Sequence, residues 1–462
     1  MKIMSAMTLH FWFFQHALWI FHFALVFIFL AHILRQRKAP ASTFAWFLFV
    51  LIAPYIGLPF YFTFGFRKFL PSKPLIFGRP SCADFVIVDP VQKTLTASGS
   101  PLPCSNAEFQ LLDSGEKAFH AIVNAIGEAR RSICLETYIF GRDAVGVQIL
   151  SLLAKRAGEG LDVRILIDTI GSHLPGHPNF REFERAGGQV AFFMPMLHRP
   201  FRGNSNLRNH RKQMIIDGQV GIMGGMNIAE EYMGPNSSPS RWIDIAFTVQ
   251  GKIAGQMEEV FYADWNYAVS KNEQPRRGES TASERGCLVQ LVVSGPDVAT
   301  DPIYEFLLIA IYGARERVWI ATPYFVPDEA LAKAMELACR RGVDLRLFIP
   351  KKSNHFIADL CRSTYVQQIQ NAGGHIFLSP KMLHAKATLI DSNYAFVGSA
   401  NLDGRSLLLN YELGLCLYSA AEVEAIETWF NSTMEICVKG FPRLNWLEEL
   451  TGNLARLTGP LI

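Results

Sequence analysis

The sequence predicts an α/β protein: two tandem copies of one α/β sandwich domain with pseudo-two-fold symmetry, preceded by a two-helix membrane hairpin. Three observations predict it. Leu9 to Leu34 and Phe44 to Phe66 contain no Lys, Arg, Asp or Glu. After them, segments of helical period alternate with strand-like runs, the mark of a layered α/β domain. That order then runs twice, with a helix ending in Ala-Gly-Gly in each copy, Ala186 to Gly188 and Ala372 to Gly374. Gly suits a helix C-terminus there.

Composition bounds the reading. The 462 residues allow two or three domains. Half are hydrophobic and 35 are Phe, which points to a membrane portion and a large core. A net charge of +3 is too small for bulk nucleic-acid binding. The eight cysteines show no C-x-x-C spacing and read as free thiols of a reducing compartment.

The hairpin occupies residues 1–68, with spans at about 9–34 and 44–66. Each span is long enough for a hydrocarbon core of roughly 30 Å. A cleaved signal peptide is excluded by the length of the first run and the second run that follows it. His16, His22 and His32 are expected to stay neutral and face the partner helix or the interface. Pro54, Gly57 and Pro59 should kink or break the second span. The loop carries Arg35, Arg37 and Lys38, while the opposite flanks carry Lys2, Arg67, Lys68, Lys73 and Arg79. That balance favours a cytoplasmic body.

Residues 69–105, with "DFVIVD", read as a linker. In the first domain, 106–270, "EKAFHAIVNAIGEARRS" reads as helix, "ICLETYIF" as strand, "GVQILSLLAKRAGEG" as helix and "DVRILID" as strand. "FREFERAGG" and "QVAFFM" then read as helix and strand. The polar run 271–286 reads as a second linker. In the second domain, 287–462, "YEFLLIAIYGARER", "DEALAKAMELACRRG" and "TYVQQIQNAGG" read as helices, alternating with strands "VWIATPYF", "VDLRLFIP" and "HIFL". Lys351-Lys352 reads as a solvated loop, and "WLEELTGNLARLTGPLI" as a helix and tail.

The chemistry lies in "NHRKQMIIDG" and its counterpart "LHAKATLIDS". His210 matches His384, Lys212 matches Lys386 and Asp217 matches Asp391. Six residues intervene before Gly224-Gly225-Met226-Asn227 in one copy and Gly398-Ser399-Ala400-Asn401 in the other. One chance match to this pattern has a probability on the order of 10⁻⁵, and two in equivalent positions exclude coincidence. In a strand, i and i+2 share a face, so each histidine projects with its lysine. The aspartates complete the catalytic set with the histidines and lysines, although at an odd offset they should support backbone or a partner charge.

Two such halves face to face supply two imidazoles, two ammoniums and neutral donors from Gly225, Asn227, Ser399 and Asn401. That set suits one small anion such as a phosphate, and no carboxylate cluster is present for a metal. One imidazole would attack phosphorus, and the other would protonate the leaving alkoxide and then activate the incoming hydroxyl. Asp244 in "RWIDIAF" and Glu412 in "NYELGL" are the candidates to orient the imidazoles.

The paired motifs resemble those of the phospholipase D superfamily. The finer text resembles bacterial cardiolipin synthases: "NHRK", "GGMNIAEEY", "TPYFVPD", "LHAK", "GSANLDGRSLLLNYE", and the hairpin with Trp46, "PYIG" and "FGFRK". The resemblance covers nearly the whole chain. It implies tandem phospholipase D-like domains and a covalent phosphatidyl-histidine formed with neither cofactor nor metal. It implies conversion of two phosphatidylglycerol molecules to cardiolipin and glycerol at the bacterial inner membrane. Gly225, where the second motif has Ser399, departs from the superfamily pattern and makes the halves unequal donors. The alternative is a membrane-bound phospholipase D-type hydrolase or phosphodiesterase, including a nuclease. The hairpin and the modest charge argue against it. A catalytically dead scaffold would need damaged motifs, and all six His, Lys and Asp positions are intact.

Overall fold

The computed structural model describes residues 2–35, 40–65, 68, 89–173, 176–194, 206–275 and 286–456. The chain forms two compact units, residues 1–67 with 197–206, and 68–196 with 207–462.

The first unit contains the helices Lys2–Arg35, Pro40–Ile52 and Pro54–Phe64. The second apolar run is not one continuous helix. It breaks at Ala53 (φ −137°, ψ 66°), where Pro54 opens the next helix. Proline disfavours helical geometry in the residue before it and has no N–H to donate. Val26, Phe29, Ile33, Val50 and Tyr61 form a small core. His22 lies 6.4 Å from the Tyr55 ring and His32 lies 6.0 Å from Tyr61. Many large apolar side chains point outward instead, among them Ile20, Phe27 and Ile52. Among the described residues, no helix is both long and apolar enough to cross a membrane.

The second unit is organised by a fifteen-stranded sheet. Seven strands belong to the first half, in the spatial order Cys104–Leu112, Ala246–Gln250, Val220–Gly224, Gln213–Ile216, Ser132–Thr137, Asp162–Asp168, Gln189–Phe193. The second half repeats that order with Cys287–Ser294, Glu412–Leu417, Tyr394–Gly398, Ala387–Ile390, Arg317–Ala321, Asp344–Pro350 and His375–Ser379. In both halves the last three strands are parallel and the others antiparallel. The two seven-stranded sheets join edge to edge, with Cys104 opposite Val289 and Ala107 opposite Cys287. Val438–Lys439 adds the fifteenth strand beside His375–Ser379.

Helices cover the sheet, so its strands read as continuous apolar runs. Gly115–Glu128 buries Ala118, Phe119, Ile122 and Ile126, one face at helical spacing. Asp143 and Asp328 cap the helices that follow them by accepting from Gly146 N and Leu331 N. Gly187 and Gly373 take positive φ at the two Ala-Gly-Gly helix ends.

Part of the expected first linker is ordered structure. Asp89 caps the helix Pro90–Ala97, which buries Val91 and Leu95 in the core of the second half. Gln290 Nε2 donates to Thr96 Oγ1 and to Pro101 C=O, fastening that helix. "DFVIVD" up to Val88 and most of the second linker lie outside the described residues. The helix expected in "FREFERAGG" is only Arg181–Arg185.

Candidate active site

Each histidine–lysine pair stands just ahead of a short buried strand, Gln213–Ile216 or Ala387–Ile390. Gln213 pairs with Glu136 and Ala387 with Ala321, at the carboxyl ends of two parallel strands. Ligands bind at that end of parallel sheets.

Backbone bonds tie each motif to the opposite half. His210 N–H donates to Tyr411 C=O (2.9 Å) and Tyr411 N–H to Arg208 C=O (2.9 Å). His384 N–H donates to Ile243 C=O (2.7 Å) and Ile243 N–H to Met382 C=O (2.8 Å). The next residue along, Glu412 or Asp244, is thereby set beside the imidazole of the other half.

The pairing of acids and imidazoles is crosswise. His210 Nδ1 lies 3.0 Å and 3.1 Å from the Glu412 carboxylate oxygens. His384 Nδ1 lies 2.7 Å from Asp244 Oδ2. A carboxylate accepts, so Nδ1 carries the proton and Nε2 keeps its lone pair for chemistry. Burial pushes His210 down to about 4, with Glu412 pulling the other way and Lys212 adding to the fall. Burial, then Lys386, pushes His384 down to about 3. Burial alone would raise Glu412, but His210 and Lys212 hold it below its ordinary value.

Lys212 Nζ donates to His210 C=O (2.8 Å) and lies 5.6 Å from the Tyr138 ring centroid. Lys386 Nζ lies 2.8 Å from His384 Nδ1 and 3.1 Å from Nε2, and also bonds His384 C=O. Burial lowers Lys212 to about 7 and Lys386 to about 8. Tyr138 meets His210 edge-on at 5.1 Å, while His384 is walled by Tyr232 at 5.0 Å and Trp242 at 5.4 Å.

The glycine-rich loops do a different job from the one expected of them. Gly225 N–H donates to Ile245 C=O, and Ser399 N–H to Leu413 C=O. Neither amide is left for an anion. Ser399 Oγ donates to Glu412 and accepts Leu413 N–H (3.0 Å). In the other half Asp244 Oδ1 itself accepts Ile245 N–H (2.8 Å). A Cβ at position 225 would overlap that same Oδ1. So a short acid with glycine stands in one half where a longer acid with serine stands in the other. Asn227 Oδ1 accepts Ile139 N–H (3.1 Å) and the side chain also hydrogen-bonds Tyr232, while Asn401 hydrogen-bonds Asp403.

The motifs group Asp217 and Asp391 with the histidines and lysines expected to be catalytic. Both stand at the far end of the motif strand, at positive φ (57° and 50°). Asp217 accepts the backbone N–H groups of Arg130, Arg131 and Ser132 at 2.7–2.9 Å. Asp391 accepts those of Arg315, Glu316 and Arg317, the shortest contacts being 2.8–3.0 Å. Each carboxylate therefore anchors the turn entering the adjacent parallel strand and has no contact with an imidazole. This corrects their grouping with the groups that meet substrate.

A buried polar network lies behind the first histidine. Behind His210, fully buried Arg211 pairs with Asp264 (2.5 Å) and donates to Ser294 C=O and Glu412 C=O. Asn209 Nδ2 donates to Glu136 Oε1 (2.6 Å), and Gln213 Nε2 to Glu136 Oε2 (2.7 Å). Burial and then Asp264 hold Glu136 well above the usual carboxylate range. The only hint in the text was Arg in "NHRK" against Ala in "LHAK".

The family described as "Cardiolipin synthase, PLD-like domain" matches residues 122–265 and 307–434. The chain belongs to the cardiolipin synthase family. A "Phospholipase_D-nuclease N-terminal" domain also matches, over residues 24–65. Cardiolipin synthase A of Pseudomonas entomophila (strain L48) is 34% identical over 460 residues, covering 93% of this chain and 95% of that protein. Cardiolipin synthase 1 of Bacillus anthracis is 30% identical over 464 residues, covering 92% and 90%. Phosphatidylserine synthase from Haemophilus influenzae Rd KW20 shares the fold, with a TM-score of 0.62 at 16% identity over 81% of this chain and 100% of that one. The two segments matched to the cardiolipin synthase domain each hold one motif histidine with its lysine, one loop and one orienting acid. Each segment orients the other's imidazole.

Proposed function

We propose that this member of the family is itself a cardiolipin synthase, transferring the phosphatidyl group of one phosphatidylglycerol to a hydroxyl of another. The observation that carries the reading is the crosswise pair of imidazoles, each with Nδ1 on a carboxylate and a lysine at its side. An anionic phosphodiester entering between them raises the proton affinity of both imidazoles, so one becomes protonated at Nε2. The neutral one attacks phosphorus through Nε2. The phosphorus–oxygen bond to the headgroup glycerol breaks, and the alkoxide takes the proton from the other imidazole. A glycerol hydroxyl of the second phosphatidylglycerol gives its proton back to that imidazole and displaces the first from phosphorus. Lys212 and Lys386 stabilise the charge on the transferring group, and Glu412 and Asp244 stabilise each imidazolium in turn. Only side chains of the chain take part, and no cofactor enters.

The same reading places the first unit in the bacterial inner membrane as a multi-pass anchor. Its support is the outward apolar surface around a small core and the match to the N-terminal domain of the family. The charge balance of the flanks favours a cytoplasmic body.

The test supplies phosphatidylglycerol alone to the detergent-purified protein and follows lipid products. Cardiolipin with free glycerol is the expected result. Phosphatidic acid without cardiolipin would replace the synthase reading with the hydrolase one.

A further inference from the structure

The helix Trp446–Arg456 sits on the protein with its apolar side turned outward. It packs on the helix Phe356–Asn371 through small residues. Gly452 lies against Leu360, Ser363 and Thr364, where a Cβ would collide with Ser363 Oγ. Ala455 C=O accepts from Cys361 Sγ (3.1 Å), and the Arg456 guanidinium stacks 4.1 Å over Tyr365. Trp446, Leu447, Leu450 and Leu454 fall on the opposite face at helical spacing, 74%, 54%, 48% and 58% exposed. Glu448 is turned back to accept Asn445 N–H (2.9 Å) and leaves that face apolar.

The patch continues toward the sheet end that carries the active site. The two helices run antiparallel, since Gly452 lies by Ser363, Ala455 by Cys361, and Leu444 N–H meets Gln367. Leu454 therefore ends near the first turn of the longer helix, where Phe356 (70%) and Ile357 (46%) are also exposed. That turn follows the carboxyl end of strand Asp344–Pro350, the same sheet end from which His384 projects. Exposed Lys351 and Lys352 lie between strand and turn, and the Tyr324 hydroxyl bonds Asn354 (2.6 Å) on the same rim.

We propose that this ridge, Phe356, Ile357, Trp446, Leu450 and Leu454 with Lys351 and Lys352 beside them, docks on the surface of an anionic phospholipid bilayer. Apolar side chains enter the acyl boundary while the lysines meet headgroup phosphates. A second copy of the chain would bring like-charged lysines together, whereas an anionic bilayer neutralises them. The docked face holds the site mouth at the surface, so a headgroup reaches the histidines with its acyl chains still in the membrane. The inference rests on the phospholipid-substrate reading above.

The test uses the full chain in vesicles of phosphatidylcholine and phosphatidylglycerol. A nitroxide on Leu450→Cys is compared with one on Val147→Cys, an exposed position on the first half, after subtracting label taken up by the unsubstituted protein. The Leu450→Cys label is expected to be reached by oxygen and shielded from an aqueous nickel chelate, and the Val147→Cys label to stay open to nickel. Nickel access at Leu450→Cys in vesicles overturns the proposal. So does a dimeric mass in detergent that Leu450→Glu/Leu454→Glu converts to a monomer, which would mean a second copy covers the face. This readout needs no turnover, so failure of the synthase reading would appear separately as phosphatidic acid in the product assay. In a second experiment, Leu450→Glu/Leu454→Glu and Lys351→Glu/Lys352→Glu are each expected to lose about tenfold in activity on vesicles. Activity on short-chain phosphatidylglycerol dissolved as monomers should be retained. Equal loss on both substrates, or none on vesicles, overturns the proposal.

Discussion

The two halves carry the same motif histidine and lysine ahead of matching strands, yet what lies behind those groups differs. The first half backs His210 with a buried polar network of Arg211, Asp264, Asn209, Gln213 and Glu136. At the equivalent places in the second half stand Leu383, Ala385, Ala387 and Ala321, all buried and apolar. The difference teaches what the site requires. Each imidazole is set by a backbone bond and a carboxylate from across the molecule, and both halves keep these. The layer behind is free to be ionic or oily, because either can fill the volume once its own polar groups are satisfied.

Changes that strike the shared part should hurt most. His210→Ala and His384→Ala are each expected to lower cardiolipin formation by about 10³-fold or more. Full activity in either variant would break the two-imidazole mechanism and with it the equivalence of the halves. The unshared layer comes next. Arg211→Ala leaves Asp264 buried without its cation and should cost about 3–5 kcal/mol of stability, read as a lower unfolding midpoint in detergent. The mirror change, Ala385→Gly, should cost about 1 kcal/mol or less.

Gly225→Ser tests the exchange between acid length and loop residue. It should push Asp244 off His384 and lower activity about 10–100-fold, and adding Asp244→Glu should restore most of that by giving the first half the arrangement of the second. A double variant no better than the single would refute this account of the loops. Asp217→Asn and Asp391→Asn weaken an anchor of three amides, costing about 1–3 kcal/mol each. The folded fraction should keep its turnover, and a specific loss of kcat would return the aspartates to the catalytic set.

The smallest effects are those of pH. Both imidazoles are held near 3–4 in the folded protein, below their ordinary value near 6.5. Between those values the unfolded chain binds protons that the fold refuses, so stability should fall as pH drops from about 6.5 toward 4. On the alkaline side Lys212 and Lys386, lowered to about 7 and 8, lose their charge early. The value of kcat/KM for the free enzyme should therefore decline above about pH 7. A profile flat to pH 10 would show that the lysines keep their protons.

Much of this was legible in the text because it is local and periodic. The alternating helices and strands, the duplicated order and the i, i+2 placement of His210 with Lys212 follow from side-chain spacing alone. The odd offset of Asp217 foretold that it would support rather than react. What was hidden depends on contacts distant in the chain. Nothing near Glu412 marks it as the partner of His210, because that contact is made by strands from different halves. The hydroxyl of Ser399 read as a phosphate donor because its actual acceptor, Glu412, becomes its neighbour only once the strands pair. The helix Pro90–Ala97 hid within a proline-rich stretch whose composition resembles a linker, although Asp89 before Pro90 is an ordinary helix start.

The crosswise pairing also bears on descent. A single copy of the repeat holds one imidazole and an acid that belongs to the other copy's imidazole, so alone it has no complete catalytic pair. An ancestral chain of one repeat could have worked only as a twofold pair of identical subunits, each lending its acid to its neighbour. Joining the two in one polypeptide released them from identity, and the contrast of Arg211 behind the first histidine with Ala385 behind the second records that release.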